Sequence, residues 1–550
     1  MTVLQRDIAD LPDLATTPGR AGPVRSQKPV YIDLLPPCNQ ACPAGENCQE
    51  WLRLAKLKQP QAAWAQLVRD NPMPAIHGRV CYHPCETACN RGDLDAPIAI
   101  HAVERYLGDM AIANNWQFEK LRPATGKKVL VVGAGPAGLS CAYHLARVGH
   151  AVTIVDAGAQ PGGMLRYGIP EYRLPRDVVD AEIARIEALG VKIVTGHRVD
   201  DLMLEKRAGN FDAVFVGVGA GRGKHIDIPS MDATRMLDAV DFLRETAAGE
   251  SRPLVGRKVA VYGAGNTAMD AARTAQRLGA EEAIIVYRRT EAQMPAHEDE
   301  MQEAQAEGVK MNWLRTITQQ GDDDLMVEVM ELDDQGRSVP TGKYEKLPAD
   351  TLILAVGQDA ETDFLHSVDG LKFDGDTVLV DPRTMMTDVP GIFAGGDAVP
   401  SDRTVTISVG HGKKAARNID LWLAKTEADV RVAHPVVHFD DLNLWFFGNN
   451  PRGQQPELDI AERESGFEEI VQGLTEDEAI YEATRCLSCG NCIECDGCLG
   501  ACPEQAVIKL GPEHRYRFDY DRCTGCTACA EQCPVCAIVM VGEKFGDINA

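Results

Sequence analysis

The sequence is short of positive charge. Its 550 residues include 56 lysines and arginines against 81 aspartates and glutamates, which gives a formal net charge of −25. Binding to duplex DNA needs a basic stripe that displaces counterions from the phosphates, and the sequence contains no such stripe. We therefore expect no nucleic-acid partner, and an acidic surface suited to solubility or to docking against a basic partner.

Long apolar runs are also missing. None approaches the ~20 residues that an apolar helix needs to cross a bilayer. Residues 1–20 lack the charged and then apolar layout of a signal peptide. The composition, with 45% hydrophobic and 25% charged residues, is that of globular proteins and excludes a disordered or collagen-like chain. We expect a cytoplasmic protein without a membrane span, folded into about three to five domains.

Cysteine is nearly absent from the middle of the chain. Of the 18 cysteines, six lie between Cys38 and Cys89, eleven lie between Cys486 and Cys536, and Cys141 alone lies between these groups. In a reducing compartment such groups are typical of metal ligands rather than disulfides. We expect Cys141 in a hydrophobic core and Cys536 in a packing role. The pattern indicates a cysteine-poor enzyme body between two cysteine-rich ends.

The cysteine-poor middle, from about residue 127 to residue 423, has the sequence pattern of an α/β protein. Its short apolar runs are typical of buried parallel strands, and they cover residues 128–132, 211–218, 258–262, 283–287 and 351–356. Residues 327–338 predict a β-hairpin, because polar turn residues separate two strand-like segments. The alternation of strands and helices predicts a parallel sheet.

The two flanks have different patterns. Residues 1–36 are rich in proline and predict an irregular arm, whereas helical apolar spacing covers residues 49–68 and 98–110. Residues 430–480 are mixed and polar and predict a linker that ends near a helix at 476–485. The first 120 residues therefore predict a small helical domain that carries cysteines.

A glycine-rich turn follows the first strand of the middle region. It has the G-x-G-x-x-G pattern of dinucleotide-binding loops: Gly133, Ala134, Gly135, Pro136, Ala137 and Gly138. The first glycine makes the turn, the second lets backbone amides approach a pyrophosphate, and the third lets the helix pack on the strand. Asp156 follows the next strand, 23 residues after Gly133, where an acid can bind a ribose hydroxyl.

A second turn of this kind follows the strand at 258–262. Its residues are Gly263, Ala264, Gly265, Asn266, Thr267 and Ala268. No acid occurs near the offset that matches Asp156; two and three residues beyond that offset the chain has Arg288 and Arg289 instead. Arginines at this place suit the 2′-phosphate of NADP. The alternative is that they are solvated or bind another acidic segment.

Two segments resemble the flavoproteins with two dinucleotide-binding domains. Residues 391–397 end in Gly395-Gly396-Asp397, and in these flavoproteins such an aspartate binds the ribityl chain of FAD. Residues 215–220 resemble their crossover strand out of the FAD domain. The resemblance implies that the first turn binds FAD, with Gly396 and Asp397 in the same site. It also implies that the NADP domain is inserted into the FAD domain.

Three further segments are similar to the small subunit of bacterial glutamate synthase and to its relative dihydropyrimidine dehydrogenase. They are Gly162 to Pro170 with Arg173-Leu174-Pro175, Val286 to Arg289 with Met294-Pro295-Ala296, and Gly78 to Cys81 with Pro84-Cys85-Glu86 and Cys89. In the first segment the resemblance assigns Gly163, Leu165 and Gly168 to the flavin site. In this family NADPH reduces FAD, and [4Fe–4S] clusters carry single electrons away.

The C-terminal cysteines form the strongest metal signal. The run Cys-x2-Cys-x2-Cys-x3-Cys-Pro of two-cluster ferredoxins occurs twice, and the second copy begins 31 residues after the first. The fourth cysteine of each run ligates the other cluster. The predicted ligand sets are therefore Cys492, Cys495, Cys498 and Cys533 for one cluster, and Cys502, Cys523, Cys526 and Cys529 for the other.

The N-terminal cysteines depart from the family pattern. The relatives begin with an Arg-Cys-x2-Cys-Gly segment, which is missing near Cys38 and is found instead at 485–490. We hypothesise that Cys486 and Cys489 fold back and complete a cluster with Cys38 and Cys89. The alternative is that these two cysteines bind no iron and only three clusters form.

The remaining N-terminal cysteines form a second predicted set, with Cys42, Cys81 and Cys85 as ligands. The relatives can use an amide or carboxylate side chain as the fourth ligand, at the position that corresponds to Glu104. Cys48 is the rival for that position. The resemblance predicts no catalytic side chain, since the cofactors carry out hydride transfer.

Together these observations predict an α/β fold with two Rossmann-like domains and a C-terminal α+β domain like bacterial ferredoxin. The predicted domains are 1–125 (helical, iron–sulfur), 126–225 and 355–425 (FAD), 226–354 (NADP), 426–480 (linker) and 481–550 (ferredoxin-like). We expect an NADP(H)-dependent electron-transfer subunit, working in a hetero-oligomer with a redox enzyme subunit or a ferredoxin. The candidate partners are a 2-oxoacid:acceptor oxidoreductase and a glutamate synthase large subunit. The alternatives are a glutamate synthase small subunit and a non-enzymatic wiring subunit.

Overall fold

The N-terminal part of the chain is mainly helical. The computed structural model describes residues 25–229, 235–249, 253–427 and 434–543. Its first elements are β1 (Gln27–Tyr31), α1 (Pro37–Ala41), α2 (Cys48–Lys56), α3 (Pro60–Leu67), α4 (Pro74–Val80), α5 (Pro84–Thr87) and α6 (Ile100–Ala113). Proline begins α1, α3, α4 and α5, a position where its missing N–H costs nothing.

Two predictions for this region are wrong in detail. The helix predicted over residues 49–68 is broken into α2 and α3, because Pro60 cannot continue a helix and instead begins a new one. The arm predicted to be irregular contains β1, which pairs antiparallel with the last strand of the chain. The rest of that arm, residues 1–24, lies outside the described residues.

The next part builds the first dinucleotide-binding unit. Its elements are β2 (Lys128–Val132), α7 (Pro136–Arg147), β3 (Ala151–Val155), α8 (Met164–Tyr167), α9 (Arg176–Ala188), β4 (Lys192–Val194), α10 (Leu202–Ala208), β5 (Ala213–Val216) and β6 (Arg222–Gly223). The strands β2, β3 and β5 are buried along most of their length, which explains their continuous apolar sequence.

A second unit follows. Its elements are β7 (Arg235–Asp238), α11 (Ala239–Ala248), β8 (Lys258–Tyr262), α12 (Asn266–Arg277), β9 (Glu282–Tyr287), α13 (Glu298–Ala306), β10 (Lys310–Trp313), β11 (Arg315–Gln320), β12 (Asp324–Leu332), β13 (Ser338–Pro348), β14 (Thr351–Leu354) and β15 (Gln358–Asp359). The predicted hairpin is confirmed, since β12 and β13 pair antiparallel around residues 333–337.

The remaining elements complete the first unit and form the C-terminal part. They are β16 (Phe373–Asp374), β17 (Thr377–Val378), β18 (Ile392–Ala394), α14 (Val405–Ala424), α15 (Ile460–Ser465), α16 (Glu476–Arg485), α17 (Gly497–Ala501), β19 (Val507–Ile508), β20 (Arg517–Phe518), α18 (Ala528–Glu531) and β21 (Ile538–Gly542). The helix α16 has the bounds predicted from the sequence, and Thr475 and Glu478 form a capping box at its start.

The described residues contain two five-stranded sheets, each with parallel pairing between its neighbouring strands. The first has the order β18-β5-β2-β3-β4, and the second has the order β10-β9-β8-β14-β7. Because β18 returns to the first sheet after the whole second sheet, the second unit is inserted into the first. The predicted fold class is confirmed.

The segment between α14 and α16 crosses back over the N-terminal helices. Glu469 binds Arg79 at 2.7 Å and Arg105 at 3.0 Å, and Arg485 of α16 binds Asp95 at 3.1 Å. Apolar residues of α16 also share a hydrophobic core with α2 and α6. These contacts hold the second cysteine-rich end against the first.

Candidate functional site

A cavity of about 470 Å³ lies at the carboxyl ends of the first sheet. Most of the residues predicted for the flavin site line it: Gly133, Gly135, Pro136, Ala137, Asp156, Gly163, Gly168, Gly396 and Asp397. Ligands of open α/β sheets bind at this end of the strands. The structure therefore brings together residues that are up to 264 positions apart in the sequence (133 to 397).

The turn between β2 and α7 explains why the cavity is open. Gly133 has a φ of +103°, and a Cβ atom there would lie 2.3 Å from the carbonyl oxygen of Gly217. At Gly135 a Cβ atom would meet open space, so the backbone of the turn is exposed toward the cavity. A dinucleotide pyrophosphate needs this close approach to the amides that begin a helix. The geometry thus fits the phosphates of FAD.

Two carboxylates border the same cavity. Asp156 follows β3 and accepts hydrogen bonds from the backbone N–H groups of Ala134 at 2.6 Å and Gly158 at 2.7 Å. These bonds fix the carboxylate beside the glycine turn. Asp397 accepts a hydrogen bond from the Ser408 hydroxyl at 3.4 Å, and burial raises the pKa of its carboxyl group. Both can accept hydrogen bonds from the hydroxyl groups of a bound dinucleotide.

Two residues of the predicted flavin set lie outside the cavity lining. Leu165 is completely buried and belongs to the hydrophobic core of the first unit. Gly138 lies within α7, where a Cβ atom would come 1.9 Å from the carbonyl oxygen of Gly133. These residues support the shape of the site from behind.

A second cavity, of about 500 Å³, adjoins the inserted unit. Gly263, Gly265, Thr267 and Arg288 line it. Arg289 and Ala268 do not line it, and Ala268 is completely buried in the core of the inserted unit. Of the two arginines, Arg288 is therefore the one that borders this cavity.

The two cavities meet at three residues, of which the sequence reasoning had predicted Thr267 and missed the other two. Thr267, Gln358 and Arg403 line both cavities, and the Arg403 guanidinium donates a 2.6 Å hydrogen bond to the Gln358 carbonyl oxygen. Arg403 comes six residues after Asp397, with no motif to mark it. A nucleotide bound in the second cavity would therefore lie next to the first cavity.

A polar network borders the first cavity. Arg173 binds Asp270 at 2.9 Å and Glu300 at 2.5 Å. Tyr82 donates a 2.9 Å hydrogen bond to Glu300 and accepts one of 2.5 Å from Asn266. Asn266, which was predicted for the nucleotide turn, thus faces the first cavity. The sequence carries a signal for both residues. Tyr82 directly follows Cys81, and Arg173 belongs to the Arg173-Leu174-Pro175 segment that resembles the family.

The structure brings Cys486 and Cys489 to Cys38 and Cys89. Burial, followed by the charge of the neighbouring Cys38, raises the pKa of Cys486 to about 11. Burial also raises the pKa of Cys489, with Cys486, Cys38 and Cys89 as further causes. Four buried or half-buried thiols that lie close enough to affect one another's pKa fit a [4Fe–4S] cluster, whose irons stabilise the thiolate form.

A second group of thiols surrounds Cys42, Cys81 and Cys85. The Glu104 carboxyl group interacts with all three, and burial raises its pKa well above the usual value. Cys48 lies between the two N-terminal groups, and contact with Cys38, Cys42 and Cys85 raises the pKa of its thiol. Three thiols with a carboxylate or a fourth thiol fit one further cluster.

The C-terminal thiols form two more groups. Cys492, Cys495, Cys498 and Cys533 line one small cavity, and Cys502, Cys523, Cys526 and Cys529 line another. Each group therefore combines three cysteines of one run with the last cysteine of the other, as the ferredoxin pattern predicts. Cys526 is the one exposed cysteine of the chain.

The other two cysteines lie in packed surroundings. All 18 cysteines fall within the described residues, and none forms a disulfide. Cys141 is completely buried in the core of the first unit. Cys536 packs in a small apolar cluster beside Cys489. The thiol chemistry of the chain is thus concentrated in the four groups.

The sequence matches three described families. They are the pyridine nucleotide-disulphide oxidoreductases over residues 127–421, the 4Fe-4S cluster domain II of dihydropyrimidine dehydrogenase over residues 34–116, and the 4Fe-4S dicluster domain over residues 491–537. The cavities and thiol groups define a flavin- and pyridine-nucleotide-dependent iron–sulfur oxidoreductase. The chain belongs to the pyridine nucleotide-disulphide oxidoreductase family, with a 4Fe-4S domain on each side of the flavoprotein body. It is an electron-transfer protein whose cofactors are FAD, NADP(H) and [4Fe–4S] clusters.

Three relatives show the breadth of the similarity. The beta subunit of NADP(+)-dependent formate dehydrogenase from Moorella thermoacetica is 36% identical over 82% of this chain and 70% of its own length. The beta subunit of NADPH-Fe(3+) oxidoreductase from Geobacter sulfurreducens is 34% identical over 82% and 75%. Subunit PreT of NAD-dependent dihydropyrimidine dehydrogenase from Salmonella typhimurium is 33% identical over 70% and 91%. The resemblance to the dihydropyrimidine dehydrogenase family is confirmed.

The helices of the described residues bear on whether the chain can cross a membrane. Across the described ranges, each helix is too short or too polar to cross a membrane.

Proposed function

We propose that the chain accepts electrons from NADPH in the second cavity and passes them through FAD and four [4Fe–4S] clusters to a partner. The observation that carries this proposal is that the end of α4 lies beside both the flavin cavity and a thiol group. Val80 lines the flavin cavity, and the next residue, Cys81, belongs to the second N-terminal thiol group. One peptide unit therefore joins the wall of the flavin site to a candidate cluster ligand.

When bound, the nicotinamide and FAD supply hydride chemistry, and the clusters supply one-electron chemistry. The protein residues bind and orient these groups and exclude water. Asp156, Asp397 and the glycine turn of α7 would hold the dinucleotide, and Arg173 and Asp270 line the same cavity in a polar network with Glu300. We assign no catalytic side chain.

The preference for NADPH over NADH is proposed from Arg288. Its side chain is exposed and lines the second cavity, and no acidic residue takes the place that Asp156 has in the first unit. A guanidinium pairs well with a 2′-phosphate. Arg289 is proposed as a weaker contributor, since it does not line this cavity.

The ligand sets follow the four thiol groups. We propose Cys38, Cys89, Cys486 and Cys489 for the first cluster; Cys42, Cys81, Cys85 and Glu104 for the second; Cys492, Cys495, Cys498 and Cys533 for the third; and Cys502, Cys523, Cys526 and Cys529 for the fourth. Glu104 is preferred to Cys48, because it interacts with all three thiols of its group, whereas Cys48 contacts two of them, Cys42 and Cys85, together with Cys38 of the other group.

The C-terminal thiol group that contains Cys526 is the place where we propose that a partner receives electrons. Cys526 is exposed, so the fourth cluster would lie nearest the surface. Two of the relatives are named as beta subunits of larger oxidoreductases. We therefore propose a cytoplasmic hetero-oligomer in which a redox enzyme subunit or a ferredoxin docks at this end.

Anaerobic reduction of the cofactor-loaded protein tests the proposal. NADPH should bleach the flavin absorbance and then produce the electron paramagnetic resonance signals of reduced clusters, and NADH should be much less effective. Loaded protein that reduces a viologen dye with neither nucleotide would contradict the proposal and favour a wiring role without nucleotide oxidation.

A further inference from the structure

The helix α14 lies beside both the flavin cavity and the N-terminal cysteines, and it presents different residues to each. Val405 and Ser408 line the flavin cavity, and Ser408 bonds Asp397. Residues at helical spacing on another face contact the iron–sulfur domain. They are Thr406, Gly410 and Lys413.

The contact between α14 and the cysteine loop is close. A Cβ atom at Gly410 would lie 2.1 Å from the carbonyl oxygen of Pro43, so only glycine allows the loop that follows Cys42 to approach the helix. Lys413 then donates hydrogen bonds to the carbonyl oxygens of Ala44 at 2.8 Å and Gly45 at 3.0 Å. The helix and the loop are thereby held in one fixed register.

Thr406 links this helix to a sulfur atom of the N-terminal cysteines. Its hydroxyl group donates a hydrogen bond to the Cys81 Sγ atom at 3.0 Å, and the threonine is 4% exposed. The two residues are 325 positions apart in the sequence. The Cys81 sulfur also accepts the backbone N–H of His83 at 3.4 Å, a bond that no side-chain substitution removes.

We infer that Thr406 is a positioning residue that raises the reduction potential of the cluster held by Cys81. The inference rests on the proposed function, in which that cluster receives one electron from the flavin side. The added electron increases the negative charge on the ligand sulfurs, and a hydrogen bond donated to a sulfur stabilises the reduced state. The flavin domain would thus itself set the potential of its first acceptor.

The magnitude follows from the value of one buried hydrogen bond, about 0.5–1.5 kcal/mol. Its loss should lower the equilibrium constant for reduction about three- to tenfold, which is about 30–60 mV for a one-electron couple. Thr406→Val removes the hydroxyl group and keeps the shape of the side chain. Thr406→Ser keeps the hydroxyl group.

A matched control is available where α7 packs against α14. The Ser140 hydroxyl is fully buried and donates a 2.8 Å hydrogen bond to the carbonyl oxygen of Val409, so its acceptor is an oxygen rather than a sulfur. Ser140→Ala therefore removes a similar hydrogen bond from the same helix. A change caused only by loosening of α14 would occur in this variant as well.

The test is a potentiometric titration followed by electron paramagnetic resonance, with the relevant signal identified as the one lost in Cys81→Ser. We expect its midpoint potential to fall in Thr406→Val and to stay near the wild-type value in Thr406→Ser and Ser140→Ala. Should Thr406→Val fail to hold the cluster, Thr406→Ala gives the same measurement. An unchanged midpoint in Thr406→Val and Thr406→Ala would overturn the inference alone. A wild-type protein without any Cys81-dependent signal would overturn the proposed function, and the inference with it.

Discussion

The backbone N–H of Gly490 donates a 2.8 Å hydrogen bond to the carbonyl oxygen of Val535. Gly490 follows Cys489, a member of the first N-terminal thiol group, and Val535 comes two residues after Cys533, a member of a C-terminal group. One hydrogen bond thus joins the loops that carry two candidate clusters. Cys536 packs in the same apolar cluster as Cys489. The contact connects the flavoprotein side of the molecule to its ferredoxin-like end.

Removing the fold-back cysteines should remove one cluster. The reconstituted wild-type chain should hold about sixteen iron atoms, four for each of four clusters, and Cys486→Ser with Cys489→Ser should lower this to about twelve. Iron and acid-labile sulfide assays measure the change. Cys536→Ser is the matched control, because this thiol lies beside the same loop but belongs to no group. Iron that is unchanged in the double variant would contradict the first ligand set.

The second N-terminal cluster should depend on Glu104 and tolerate the loss of Cys48. Glu104→Ala removes the carboxylate that interacts with Cys42, Cys81 and Cys85, so it should remove or alter one electron paramagnetic resonance signal. Cys48→Ser should leave the iron content at its wild-type value, since Cys48 lies between two groups that are complete without it. The reverse result would make Cys48 the ligand.

The nucleotide preference should depend on Arg288 far more than on Arg289. Arg288→Ala should lower kcat/KM for NADPH about ten- to a hundredfold, the cost of one charged hydrogen bond of about 1.5–3 kcal/mol. Activity with NADH should change little, because NADH has no 2′-phosphate. Arg289→Ala is the control, since Arg289 does not line the cavity. Equal losses with both nucleotides in Arg288→Ala would show that the arginine has no role in selecting NADPH.

Loss of the outermost cluster should uncouple the partner without affecting flavin reduction. Cys529→Ser removes a buried member of the group that includes exposed Cys526. NADPH should still bleach the flavin at the wild-type rate in stopped-flow measurements, and transfer to a ferredoxin acceptor should fall by at least about tenfold. If the acceptor were reduced at the wild-type rate, electrons would leave from another place.

Local sequence patterns were enough for the α/β body. The turns at Gly133 and Gly263 each follow an apolar strand and begin a helix, and this order specifies a dinucleotide-binding unit without knowledge of distant contacts. The helix 476–485 was also predictable, since its capping box and apolar spacing are local. Pro60 shows the limit of apolar spacing, because one residue that lacks an N–H divides a continuous pattern into two helices.

Neighbours across the molecule were not predictable in the same way. Arg403 and Gln358 line both cavities, and Tyr82 bonds Asn266, yet no spacing in the sequence relates these residues to one another. Such pairs depend on how whole domains pack. The sequence did not predict which of Arg288 and Arg289 lines the second cavity, because the two are adjacent on an irregular segment after β9.

The sequence by itself determined which chemical groups this protein carries: two glycine turns, a basic pair and cysteine runs whose spacing suits iron–sulfur clusters. The tertiary structure decided the order in which those groups are connected. Cys489 lies near Cys38, and Thr406 bonds Cys81, across hundreds of residues, while Gly490 bonds Val535 across 45. The physical reason is that cofactor binding is encoded by short-range spacing, whereas a path for electrons depends on distances that only the packing of distant segments fixes.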